Sequence, residues 1–130
     1  MKTLHYKAFI SYSHQDEAWA RWLQGALENY RVPKHLVGST GSFGVIPSRL
    51  MPIFRDREDL SSAADLSSKI RDELAASETL VLICSPASAQ SRWVNEEVRY
   101  FRQLGREDRI LALIVDGDPH EAHDRPGRGV

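Results

Sequence analysis

The tightest constraint on the fold is a run of apolar residues. Thr79-Leu80-Val81-Leu82-Ile83-Cys84 sets five apolar side chains in a row behind one threonine. The run is too short for a lone helix and does not alternate as a half-exposed strand would. It fits a strand buried on both faces, at the centre of a parallel sheet. Three other segments share this character: Ala8-Phe9-Ile10-Ser11, Met51-Pro52-Ile53-Phe54 and Ile110-Leu111-Ala112-Leu113-Ile114-Val115. Pro52 places the start of the second strand near itself, because proline cannot donate to a ladder.

The segments between these runs have helical spacing. Trp19, Trp22, Leu23, Ala26, Leu27 and Tyr30 recur at i, i+3, i+4, i+7, i+8 and i+11. That is one face of an amphipathic helix, with Ser13 or Asp16 as its cap and both tryptophans expected in the core. Leu66, Ile70 and Leu74 stand at four-residue steps behind a cap at Ser61 or Ser62, with Ser62 and Asp65 a weak capping box. Strand and helix thus alternate four times and three times along the chain, which implies a parallel sheet with helices on both faces. The loops after the strands, residues 12–16, 55–62, 85–91 and 116–119, then gather at one edge, where folds of this class bind ligands. Residues 31–50 carry Gly38, Gly41, Gly44, Pro33 and Pro47 and form a long connection with at most a short element of its own. Its Arg31, Lys34 and Arg49 read as a solvated surface rather than a phosphate site.

The third helix holds the residue that singles out a site. Ser91-Arg92-Trp93-Val94-Asn95-Glu96-Glu97-Val98-Arg99-Tyr100-Phe101-Arg102-Gln103-Leu104 has no internal Pro or Gly, and Gly105 stops it. At about 100° per residue, Trp93, Val94, Val98, Tyr100, Phe101 and Leu104 share a broad arc. Glu97 falls in the middle of that arc, between Val94 and Leu104, while Glu96 falls on the polar side. An unpaired buried carboxylate is costly, so Glu97 must be paired or face a cleft. The helix starts at the loop edge, so Glu97 in its second turn can face the ligand crevice.

A chain of 130 residues, 42% hydrophobic and 27% charged, bounds a single globular domain. A formal net charge of −1 gives no bulk attraction for nucleic acid or an anionic membrane. The single cysteine, Cys84, forms no internal disulfide; it is expected to be a buried small hydrophobe in a reduced, cytoplasmic setting. No segment has the length of a membrane span or the pattern of a secretory signal. After Pro119 the apolar pattern stops. Residues 1–119 are therefore read as the domain and residues 120–130 as a polar tail or a linker to a further module. His120 and His123, without a helix to align them, do not make a metal site.

GxGxxG, P-loop and GxSxG motifs are absent. Asp56 partly fits a phosphorylation receiver, but the first strand ends in Ser11-Tyr12-Ser13 without an acidic pair. What remains is one placed glutamate, a Ser/Tyr-rich first loop, the charged run Arg55-Asp56-Arg57-Glu58-Asp59-Leu60 and aromatic neighbours. That set suits a reaction in which positive charge develops on a sugar ring, where a single carboxylate stabilises an oxocarbenium-like centre. Nicotinamide in NAD+ leaves as a neutral base and needs no general acid.

Three blocks also carry a family resemblance. They are Lys7-Ala8-Phe9-Ile10-Ser11-Tyr12-Ser13-His14-Gln15-Asp16, then Ile53-Phe54-Arg55-Asp56-Arg57-Glu58-Asp59-Leu60, then Leu82-Ile83-Cys84-Ser85-Pro86 running on through Ser91-Arg92-Trp93-Val94-Asn95-Glu96-Glu97. In this order and spacing they resemble Toll/interleukin-1 receptor (TIR) domains, most closely bacterial ones fused to other modules. The resemblance implies an α/β, flavodoxin-like parallel sheet of five strands. Four are legible, so the last strand and helix are missing or unrecognised. It also implies cleavage of NAD+ as substrate, with no cofactor, to nicotinamide and ADP-ribose or a cyclic isomer, and Glu97 as the catalytic residue. Tyr12, Ser13, Arg55, Asp56 and Arg57 would border the nucleotide and Trp93 would shape the pocket wall. Activity would require TIR–TIR assembly, with Arg57, Glu58, Asp59 and Leu60 in the self-association loop, and would serve antiphage defence or signalling. The connection at residues 31–50 is longer than the family's common pattern. The alternative is a non-catalytic signalling scaffold, in which Glu97 pairs with Arg92 or another cation. A third reading is a nucleotide sensor that binds NAD+ without turnover.

Overall fold

A computed structural model describes residues 4–41, 44–55 and 67–116. Strand β1 (Tyr6–Ser11) leads through a 3₁₀ turn (His14–Asp16) into α1 (Glu17–Asn29). A small antiparallel hairpin follows, β2 (Thr40–Gly41) with β3 (Gly44–Val45), and then β4 (Ile53–Arg55). Next come α2 (Ser68–Ala75), β5 (Ser77–Cys84), the short α3 (Pro86–Gln90) and α4 (Arg92–Gln103). A second 3₁₀ turn (Glu107–Arg109) enters β6 (Ile110–Ile114).

Among the described residues the main sheet has four strands in the order β4-β1-β5-β6, and every neighbouring pair is parallel. The chain steps from β1 outward to β4, then crosses back to β5 and β6. The direction of winding therefore reverses between β1 and β5, which is the flavodoxin-like pattern expected from the sequence. The register fixes the reversal: Phe9 lies beside Phe54 on one side and Leu80 on the other, and Ser11 lies beside Leu82.

β1 is buried on both faces, and alternate residues serve different cores. Ala8, Ile10 and Tyr12 join Ala20, Ile53 and Ile83 beneath α1. Phe9 joins Ile70, Leu74, Leu80 and Phe101 beneath α2 and α4. At the amino-terminal edge of the sheet, Arg106 Nη1 donates to the carbonyls of Ala75 at 2.8 Å and Ser77 at 3.1 Å. The Arg106 side chain braces that edge, and the opposite edge carries the loops.

Several expectations need correction. Both tryptophans of α1 were expected in the core, but the sheet-facing stripe is Ala20, Leu23 and Leu27, with Trp19 beside it. Trp22 and Tyr30 are 38% and 50% exposed, and Ala26 is exposed too. Those three lie at four-residue steps on the adjacent stripe, which turns past the edge of the contact. Trp22 instead packs edge-to-face on Trp19, centroids 5.7 Å apart. α2 is capped by Ser67, whose hydroxyl accepts from Ile70 N–H. Ser67 has extended backbone, φ −67° and ψ 160°, so α2 starts after it. The Ser61, Ser62 and Asp65 cap lies outside the described residues. Residues 85–91 were read as a loop, yet Pro86–Gln90 is helical. Proline suits the first turn, and Ser85 and Ser88 exchange hydrogen bonds in a capping box. Cys84 is half-buried rather than buried.

Phe101 is fully buried where α4 meets the sheet. Phe101→Ala should lower the stability by about 3–5 kcal/mol, read as an earlier urea midpoint with an unchanged slope. A loss below about 1 kcal/mol would mean that α4 is not packed on the sheet.

Candidate functional site

The site grows from the last residue of β1. Side chains alternate along a strand, so Ser11 follows Phe9 toward α4, while Tyr12 follows Ile10 toward α1. Ser11 is 0% exposed and Glu97 2%. Across the gap between sheet and helix, Ser11 Oγ donates to Glu97 Oε1 at 2.8 Å, joining residues 86 positions apart. A hydrogen bond to a carboxylate is stronger than one between neutral groups, and it offsets part of the cost of burying that group.

α4 is aimed by its own start. The Ser91 hydroxyl caps it by accepting from Val94 N–H at 3.2 Å. Val94, Glu97 and Phe101 then form its buried stripe, at i, i+3 and i+7. The adjacent glutamate behaves differently. Glu96 keeps 30% side-chain exposure and lies 3.8 Å from the Arg99 guanidinium, an i,i+3 surface pair. Trp93, one turn before Glu97, is half-buried against the core that holds Phe101.

On the other face, Arg55 ends β4. Its side chain is only 7% exposed. Nε donates to Gln24 Oε1 at 2.8 Å, and Nη1 reaches the Tyr12 hydroxyl at 3.4 Å and Glu17 Oε1 at 3.6 Å. Gln24 in turn donates to the Ile53 carbonyl at 3.2 Å. These bonds fasten the end of β4 to α1 and to the end of β1. Ser13 is half-buried and caps the 3₁₀ turn by accepting from Gln15 N–H. Asp16 makes no cap bond of its own. Its carboxylate accepts from the Ser85 hydroxyl, tying the loop after β1 to the loop after β5.

The expected site residues therefore fall into two groups along one sheet edge. Trp93 and Glu97 share α4 with Ser11 beneath them; Tyr12 and Arg55 meet on the α1 side. Asp56, Arg57, Glu58, Asp59 and Leu60 lie outside the described residues. Ser11, Gln24 and the Asp16–Ser85 pair were missed by sequence reasoning. Ser11 had a signal, since it is a polar residue in phase with Phe9 at the end of an apolar run. Gln24 and Asp16–Ser85 had none, because their partners are distant in sequence. Among the described residues, no three His, Cys, Asp or Glu side chains converge as metal ligands, and no helix is long and apolar enough to cross a membrane.

A parallel sheet wound in both directions from β1, with a buried carboxylate at the carboxyl end of that strand, defines a flavodoxin-like α/β protein. Residues 8–128 match the sequence profile described as TIR domain. The chain belongs to the TIR domain family. It is similar to the NAD(+) hydrolase ApTIR of an Actinoplanes species, at 34% identity over 116 residues. That match covers 88% of this chain, which spans about 15% of the length of this curated relative.

The three contacts of the Arg55 guanidinium differ in weight. Arg55→Ala leaves Gln24 and Tyr12 without these bonds and should cost about 1–3 kcal/mol in chemical denaturation. Glu17 is 53% exposed, and Glu17→Ala should cost about 0–1 kcal/mol. A larger loss from Glu17 than from Arg55 would reverse this ranking.

Proposed function

We infer that this chain cleaves NAD+ at the nicotinamide–ribose bond. The observation that carries this reading is Glu97, a carboxylate 2% exposed on an otherwise apolar helix stripe, behind the carboxyl end of β1. The similarity to a protein named NAD(+) hydrolase supports the same substrate.

The chemistry asks little of the protein. As the C1′–N bond breaks, its electron pair goes to the nicotinamide nitrogen, which leaves neutral. Positive charge then spreads over C1′ and the ring oxygen of the ribose. Glu97 stabilises that charge and holds a ribose hydroxyl. Water attacks C1′ and releases a proton, giving ADP-ribose. A cyclic isomer forms instead when a nitrogen of the adenine base attacks C1′. In the same reading Tyr12, Ser13, Arg55, Asp56 and Arg57 border the nucleotide and Trp93 forms a wall of the pocket. Arg57, Glu58, Asp59 and Leu60 then mediate contact between copies. With Glu97 2% exposed, this reading requires that its surroundings open to substrate when copies assemble.

Concentrated protein incubated with NAD+ should release nicotinamide, separated by chromatography from ADP-ribose and any cyclic product. Glu97→Ala should lower the rate by at least about 10²–10³-fold, as removal of a main transition-state partner does. Glu96→Ala removes only the half-buried Glu96 carboxylate paired with the exposed Arg99 and should leave the rate near native. Native turnover in Glu97→Ala would remove Glu97 from the reaction. No nicotinamide from the native chain under any assembly condition would favour a scaffold.

A further inference from the structure

We propose that Ser11 is a positioning residue that sets the Glu97 carboxylate for the reaction. The inference rests on the catalytic reading of Glu97 and adds what holds that group in place.

Ser11 cannot act on substrate itself, since it is 0% exposed. It is also a fixed point. It pairs in register with Leu82 of β5, and β1 lies between two parallel neighbours. Glu97 sits on a separate element and has a flexible side chain. The 2.8 Å bond from Ser11 Oγ to Glu97 Oε1 anchors the carboxylate to an inner strand of the sheet. Groups that must hold a productive geometry gain from such rigid support.

Stability does not account for the pair. The same layer holds Phe9, Leu80 and Phe101, all 0% exposed and apolar. Replacing a buried polar pair by apolar groups of matching shape is often neutral or stabilising. A hydroxyl and a carboxylate that face each other in an apolar layer point to a requirement on the carboxylate's orientation.

The test is steady-state nicotinamide release from concentrated protein. Folding of each variant is verified by circular dichroism and thermal unfolding. Ser11→Ala should lower kcat by about 10- to 100-fold, as loss of an orienting outer partner does, with KM within about twofold because substrate does not touch Ser11. Ser11→Cys keeps the size and has a weaker donor, so kcat should fall less and KM should again hold. Should Ser11→Ala fail to fold, the cysteine variant decides. In a Glu97→Ala background, Ser11→Ala should cause no further fall in kcat.

Native kcat in Ser11→Ala, or in Ser11→Cys where Ser11→Ala does not fold, beside a dead Glu97→Ala, overturns the positioning role and leaves Glu97 in place. A higher kcat, or a loss confined to KM, also overturns it. Native turnover in Glu97→Ala, or none in the native chain, overturns the reading of Glu97 and this inference with it.

Discussion

The structure depends on the burial of β1 from both sides. Ala8, Ile10 and Tyr12 supply one core and Phe9 another, while the strand's two edges pair with β4 and β5. A shift of one residue in its register would exchange these sets between the layers. The helices on both faces would then meet the wrong partners. The same alternation sends Ser11 toward Glu97 and Tyr12 toward Arg55. The two halves of the candidate site are thus consequences of the packing of one six-residue strand.

From the sequence, the elements that show themselves by local pattern are legible. Parallel strands show as unbroken apolar runs, so all four appear in the text of the chain. β6, expected to be buried on both faces, is instead an edge strand among the described residues, with Leu111 59% and Ile114 85% exposed. An apolar run does not say whether a further layer covers it. α4 announces itself by its stripe, and Glu97 by interrupting that stripe. What stays hidden depends on partners remote in sequence. Trp22 has the right period for a core residue, yet periodicity does not say where the contact with the sheet ends. α3 is too short to show a period, and only the capping chemistry of Ser85, Pro86 and Ser88 marks it. The Asp16–Ser85 bond joins residues 69 positions apart and leaves no trace in either neighbourhood.

The loop edge is more structured than a set of loops needs to be. Asp16 and Ser85 connect the segments after β1 and β5, on either side of the winding reversal. Arg55 connects the root of the charged run to α1 and to Tyr12. These side chains tie together the loop edge of the sheet, behind which the Glu97 carboxylate is buried.

The long connection between α1 and β4 has a different consequence. Its two ends meet: Arg31 and Arg49 form an antiparallel bridge, and Val32 N–H donates to the Ser48 carbonyl at 3.0 Å. Further in, Gly38 N–H donates to the Ile46 carbonyl and Ile46 N–H to the Ser39 carbonyl, and the β2–β3 hairpin lies beyond. The excursion is therefore a ribbon that closes on itself before the chain returns to the sheet. Changes in the length of such a closed loop carry little entropic penalty, and the bridge at Arg31 and Arg49 separates it from β4. Such a ribbon is a natural place for relatives to differ in length, and for a designer to graft a peptide without disturbing the domain beneath.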